Sequence, residues 1–197
     1  MTVLVIASGN QGKIREFSQL LGHLGLQIEP MPQGLEIEET GSTFAQNARL
    51  KAVAVAWATG HWSLADDSGL SVTALGGAPG VHSARYADSD AARIARLLQE
   101  LSGATDRSAR FTAALAVANP AGEVVIEVEG HCPGLILESP RGNGGFGYDP
   151  VFYVPEAGLS FAEMDKERKG TLGHRGRAME LLLPRLQTVL MGTAGRR

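Results

Sequence analysis

The sequence contains a single cysteine, Cys132, so no disulfide can form within the chain, and no His/Cys spacing resembles a zinc site. A reducing, cytoplasmic location is therefore expected. A positive excess is also missing, because 18 Lys and Arg against 21 Asp and Glu leave a formal net charge of −3. Tight sequence-independent binding to DNA or RNA depends on phosphate neutralisation, so nucleic acid is not an expected partner and any phosphate must be held by a local site. No apolar stretch approaches the roughly 18 residues of a membrane span, and Met1 to Ala7 carries no basic flank before Ser8-Gly9-Asn10. Neither a membrane nor export is expected. Internal repeats and low-complexity tracts are missing as well.

What is present is ordinary for a globular chain: 44% apolar and 20% charged residues over 197 positions, enough for a sizeable core in one domain over residues 1–191. The small, basic tail 192–197 is expected to be disordered. Val3 to Ala7 is a short apolar run ended by a polar turn and reads as a buried strand. Ile14, Phe17, Leu20, Leu21 and Leu24 then recur at helical spacing, which gives a strand–loop–helix start. A second helix is expected over 42–59, with Thr43 as its cap and Gln46 three positions on. Ser63-Leu64-Ala65 and Leu70-Ser71-Val72 read as two short strands around an acidic turn. A helix over Asp88–Leu101, a hairpin of Phe111–Ala118 with Glu123–Glu129, a glycine-rich loop over Ser139–Asp149, a strand over Val151–Val154 and a short helix opened by Ser160 to Met164 with a capping box follow. A last helix is expected from Gly173 to about Leu190. This order predicts an α/β fold with a mixed sheet flanked by helices.

Five stretches carry chemistry. Ser8-Gly9-Asn10-Gln11-Gly12-Lys13 lies between the first strand and first helix, where backbone N–H groups and the positive helix end favour an anion and Lys13 adds a mobile charge. It lacks the spacing of a P-loop, and simple turn chemistry is the bland alternative. Asp66-Asp67-Ser68-Gly69 offers two carboxylates and a hydroxyl at the carboxyl end of a strand; such hard oxygens suit Mg²⁺, although an Asx turn with solvated charges would look the same. Glu36 to Gly41 is a second acidic stretch, which raises the metal reading, although before a helix such charge also simply favours the positive helix end. Arg141 to Pro150 sets four glycines around Phe146 and Tyr148, so a backbone can approach a ligand while a ring stacks on a base, or the rings can fold back into the core. Lys166, Arg168, Lys169, His174 and Arg175 form a cationic string beside it.

Ser8–Lys13, Glu38-Glu39-Thr40-Gly41-Ser42-Thr43-Phe44 with Asn47 and Lys51, Ala65–Gly69, Gly76–Gly80 with Ser83-Ala84-Arg85-Tyr86, Gly144–Pro150, and Ser160–Lys169 with His174-Arg175 occur in this order, and the chain thereby resembles the Ham1/RdgB family of inosine triphosphate pyrophosphatases along nearly its whole length. The resemblance implies an elongated mixed sheet with two lobes around a central substrate cleft, a homodimer, Mg²⁺ dependence, and hydrolysis of ITP, dITP and XTP to the monophosphate and pyrophosphate. By matching position it implies phosphate contacts from Ser8, Gly9, Asn10, Gln11, Gly12, Lys13 and Lys51, with Ser68 as a further substrate contact. It also implies a general base at Asp67 and metal binding by Asp67 with Asp66 and either Glu38 or Glu39. Base recognition falls on Phe146, Gly147, Tyr148, Asp149, Lys169, His174 and Arg175, with Phe146 or Tyr148 against the purine. A Maf-type pyrophosphatase acting on modified pyrimidine nucleotides is the rival enzyme, and a nucleotide-sensing module is the rival without catalysis.

Overall fold

Apolar, β-branched Val3–Ile6 forms strand β1, and Gln11–Leu21 forms helix α1, which buries Ile14, Phe17 and Leu21 along one face. The computed structural model describes residues 1–194, with side-chain surroundings to residue 190. Helix α1 starts at Gln11, so only Ser8, Gly9 and Asn10 are loop; the second half of the stretch read as a loop is the helix's first turn. Strand β2 (Gln27–Pro30) follows and pairs parallel with β1. Its four half-polar residues give almost no periodic signal, and the sequence reading missed it.

Helix α2 (Phe44–Thr59) starts at Thr43, whose side chain accepts from the Gln46 amide, as the capping signal predicts. Strand β3 runs without interruption from Trp62 to Val72. The two short strands around an acidic turn are thus one long strand, and Asp66, Asp67, Ser68 and Gly69 lie inside it. An Asx turn needs solvent and a free backbone, whereas Ser63 to Asp67 are all buried and β3 lies between β1 and β4 in the sheet. Helix α3 (Asp90–Glu100) is capped by Ser89, and the hairpin strands extend beyond their expected ends to β4 (Ser108–Ala118) and β5 (Val124–Ile136). Strands β6 (Phe152–Val154) and β7 (Leu159–Ser160) close the order β2-β1-β3-β4-β5-β6-β7, a seven-stranded sheet among the described residues. Parallel pairs at β1 and antiparallel pairs at β5-β6-β7 make the sheet mixed, as expected. Helix α4 (Lys166–Leu172), capped by Asp165, was not anticipated; α5 runs His174–Ala194, and residues 195–197 of the expected disordered tail lie outside the described residues.

Two compact units share the chain, one of residues 1–67, 114–129 and 178 onward, the other of residues 68–113 and 130–177. In the first, Ala48, Ala52, Val55 and Ala56 of α2 pack with Val5, Ala65, Ala114, Ala116 and Ala118 of the sheet. Small side chains on both surfaces leave little volume between helix and strands, which makes this core sensitive to any added methylene. The second unit is built on large rings: Phe111 meets Phe152 edge-on at 4.6 Å and lies over Phe161 at 5.6 Å, with Leu97, Leu101 and Val151 in the same core.

Candidate active site

In the first unit, the end of β1 decides where charge collects. Ile6 pairs with Leu64 and the Ala7 amide donates to the Leu64 carbonyl at 2.8 Å, after which the chain leaves the sheet. Extended by two residues, the same register sets Ser8 level with Asp66, so the carboxylates of β3 stand where β1 has stopped and the α1 N-terminus begins. Asn10 caps that helix, its Oδ1 accepting from the amides of Gly12 at 2.8 Å and Lys13 at 3.3 Å, while its own amide donates to Ser8 Oγ. Lys13 Nζ donates to Asp66 Oδ2 at 2.8 Å, and that carboxylate is almost wholly buried. Gly9 and Gln11 are exposed beside it.

The acidic stretch is fastened to α2. The Gly41 amide donates to Asn47 Oδ1 and the Ser42 amide to Gln46 Oε1, both at 2.8 Å, and a Cβ on Gly41 would lie only 2.6 Å from Asn47 Oδ1. One turn beyond Asn47, Lys51 Nζ donates to Glu39 Oε1 at 2.8 Å and stands 3.9 Å from Asp67 Oδ1. Of the adjacent glutamates, Glu39 therefore belongs to this cluster, whereas Glu38 is exposed. Asn47, fully buried on an otherwise alanine-rich face, is a member that the reading of the residues left without a role. Its signal was visible as a lone amide four residues before Lys51.

Asp67 is the perturbed group. Burial pushes its carboxyl from 3.8 up to about 6, the Lys51 ammonium pulls it back, and the neighbouring charges of Glu39 and Asp66 raise it further. Its Oδ2 is buried without a hydrogen-bond partner, which in a folded protein asks for an explanation. A hard cation would supply one. Ser68, next along β3, is half-buried.

The second unit holds the aromatic and cationic set. Tyr148 is 4% exposed and its hydroxyl donates to the Ser83 carbonyl at 2.7 Å, so its ring is core and not a stacking surface; Phe146 is 65% exposed. The hydroxyl's bond to a backbone carbonyl accounts for the burial of the tyrosine ring. Asp149 is buried, and its Oδ2 accepts from the Phe146 amide at 3.0 Å and from Lys169 Nζ at 2.5 Å. Gly145, at φ 70°, is required there, since a Cβ would fall 2.0 Å from Asp149 Oδ2. Lys169 Nζ also stands 4.9 Å from the centroid of the Phe146 ring, within cation–π range. Gly147 donates its amide to Asp90 Oδ2 at 2.8 Å. His174 stacks on Phe111 at 4.8 Å and begins α5 with Arg175, both half-buried.

The Ham1 family model matches residues 4–185 of this chain. The dITP/XTP pyrophosphatase of Synechococcus sp. (strain CC9311) is 64% identical over 193 residues, covering 98% of this chain and 94% of that protein. That of Nostoc sp. (strain PCC 7120) is 50% identical over 98% of both chains. The fold superimposes on the Ham1 protein of Staphylococcus aureus with a TM-score of 0.88 at 41% identity, covering 98% of this chain and 100% of that one. A HAM1 protein from Coxiella burnetii gives 0.87 at 43% identity with the same coverage. Sequence, fold and the order of the motifs agree over nearly the full length, and the chain belongs to the Ham1 family.

Proposed function

We propose that the chain hydrolyses dITP, ITP and XTP to the nucleoside monophosphate and pyrophosphate, removing them from the nucleotide pool before they enter DNA or RNA. The observation that carries this reading is Asp67, a buried carboxylate with an unpartnered oxygen and a pKa of about 6, set among Glu39, Asp66 and two lysines. The relatives named dITP/XTP pyrophosphatase support the substrate class.

The phosphate chain is the task of the first set of residues. Ser8, Gly9, Asn10, Gln11 and Gly12 offer amides and hydroxyl or amide side chains, while Lys13 and Lys51 carry the cations that offset phosphate charge. Glu39, Asp66 and Asp67 would hold Mg²⁺, which when bound would neutralise charge on the polyphosphate and acidify water. Asp67 is ionised at neutral pH yet basic enough to take a proton at its carboxylate from the attacking water. The water oxygen bonds to the α-phosphorus as the bond from that phosphorus to the bridging oxygen breaks, and pyrophosphate departs. Ser68 is a neighbouring polar contact.

The purine is the task of the second set. Phe146 offers its exposed ring for stacking, Gly147 and Asp149 shape the backbone around it, and Lys169, His174 and Arg175 donate toward the 6-oxo group of hypoxanthine or xanthine. Adenine presents a donor there, and an unpaired donor of that kind can reduce turnover by about 10⁴-fold. Tyr148 acts from the core as a support. A single nucleotide pyrophosphatase domain over residues 1–191, assembled as a homodimer and working in the cytoplasm, completes the proposal; no helix among the described residues is long and apolar enough to cross a membrane.

The test is pyrophosphate release from dITP, ITP, XTP, ATP and dUTP with and without Mg²⁺. The reading expects rapid release from the first three, little from ATP and dUTP, and loss of all activity on adding a chelator. Equal turnover of dUTP, or no product from any purine substrate, would overturn it.

A further inference from the structure

The exposed ring of Phe146 sits on a loop whose backbone is awkward by itself: Gly145 and Gly147 on either side of it both have positive φ, at 70° and 59°. Left to itself such a loop would sample many conformations, and a stacking ring would have to be ordered each time a base arrived. Two carboxylates hold it. Asp149, within the loop, accepts the Phe146 amide. The next amide, that of Gly147, is taken by Asp90 Oδ2 at 2.8 Å, from the first residue of helix α3, 57 positions away in sequence. Asp90 is itself aimed by Arg93, whose Nη1 donates to Oδ1 at 2.6 Å one helical turn on. Ser89 caps α3 through the Ala92 amide, so the helix end has its own cap and does not need the Asp90 side chain for that purpose. Tyr148, pinned through its hydroxyl to the Ser83 carbonyl, fixes the residue that follows the two anchored amides.

We propose that Asp90 is a positioning residue for base recognition, acting through the Gly147 amide to hold the Phe146 ring ready for a purine. This rests on the assignment of Phe146 to the base under the proposed function. Asp90 touches neither phosphate nor base; it lowers the ordering cost of the platform that does. Its removal therefore weakens nucleotide binding through the base and leaves the phosphate machinery untouched.

The experiment compares wild type, Asp90→Ala, Asp90→Asn, Phe146→Ala and the double variant Asp90→Ala/Phe146→Ala. For Asp90→Ala the KM for dITP rises about fivefold, the scale of losing one charge-assisted hydrogen bond at a half-exposed position, with kcat within about twofold. Inhibition by inorganic tripolyphosphate, which has no base, is unchanged. Asp90→Asn keeps an acceptor for the Gly147 amide and recovers most of the loss. In the Phe146→Ala background the Asp90 substitution adds nothing, because the two act as one unit. Full additivity in that background, an unchanged KM, or an equal loss of tripolyphosphate binding would each overturn the inference. Amide hydrogen exchange supplies a readout independent of substrate: Asp90→Ala speeds exchange at Gly147 about tenfold and leaves Leu115 in β4 unaffected. Exchange at Gly147 that stays at the wild-type rate sinks the inference even if dITP is turned over, while failure of wild type to act on dITP sinks the proposed function and leaves the clamp to be judged by exchange.

Discussion

Replacing Asp67 by Asn should make the metal-free protein more stable as it makes the enzyme inactive. The side chain keeps its shape and loses its charge. In the fold the carboxyl has been pushed from 3.8 to about 6, chiefly by burial, so the folded state holds this proton more tightly than the unfolded chain does. At about 1.4 kcal/mol for each tenfold in the proton equilibrium, the ionised carboxylate costs the fold about 3 kcal/mol at pH 7.5. The sign follows from linkage. Below pH 3.8 the group is protonated in both states and costs nothing; the penalty grows as pH rises between 3.8 and about 6, and is complete above that. Thermal unfolding followed by circular dichroism with chelator should therefore show Asp67→Asn melting about 6–10 °C above wild type at pH 7.5, with the gap closing by pH 4. Adding Mg²⁺ should raise the melting point of wild type and leave the variant nearly unchanged. A variant that melts below wild type at pH 7.5, or a gap that ignores pH, would refute the account of Asp67 as a carboxylate whose burial outweighs the partners it has.

Lys51→Met removes the cation that restrains the Asp67 pKa, so the acid limb of the kcat/KM profile should move about one pH unit toward alkaline, with activity at pH 6 falling more than at pH 8. A limb that stays in place would remove Lys51 from this role. Gly145→Ala places a Cβ 2.0 Å from Asp149 Oδ2 at a left-handed φ, and urea unfolding should show a loss of about 2 kcal/mol together with weaker binding of dITP. Phe146→Ala should raise the KM for dITP about tenfold with kcat little changed, since base stacking is worth about 1–3 kcal/mol, and its melting point should match wild type because the ring is 65% exposed.

The parts of the fold that the sequence displays are those governed by nearest neighbours. The Thr43 cap, the α1 stripe and the capping box at Ser160 each depend on residues within a turn of one another, and each is present, although of the expected stripe only Ile14, Phe17 and Leu21 are buried while Leu20 is exposed and Leu24 lies beyond the helix. The Asp66-Asp67 pair lies within a strand and not in the expected turn, because composition alone cannot say whether a carboxylate is solvated or inserted into a central strand; β1 and β4, remote in sequence, make that decision. Strand β2 escaped notice for a similar reason, its place fixed by β1 and not by its own pattern. Within the candidate site, the residue types were legible while their pairings were not. Nothing local distinguishes Glu38 from Glu39 until Lys51 selects one, or Phe146 from Tyr148 until the Ser83 carbonyl claims the tyrosine.

The cap at Asn10 bears on how tightly this protein can hold an anion. Gly12 and Lys13 already give their amides to Asn10 Oδ1, and the Lys13 ammonium is already given to Asp66. A phosphate oxygen that engages these donors trades one acceptor for another, so the net gain per contact is that of an exchange, not of a new bond. A single phosphate or sulfate bound there would gain little by the swap. Under the proposed function, the displaced Asn10 amide oxygen and Asp66 carboxylate would retake their donors as product leaves, a balance that would favour release over retention.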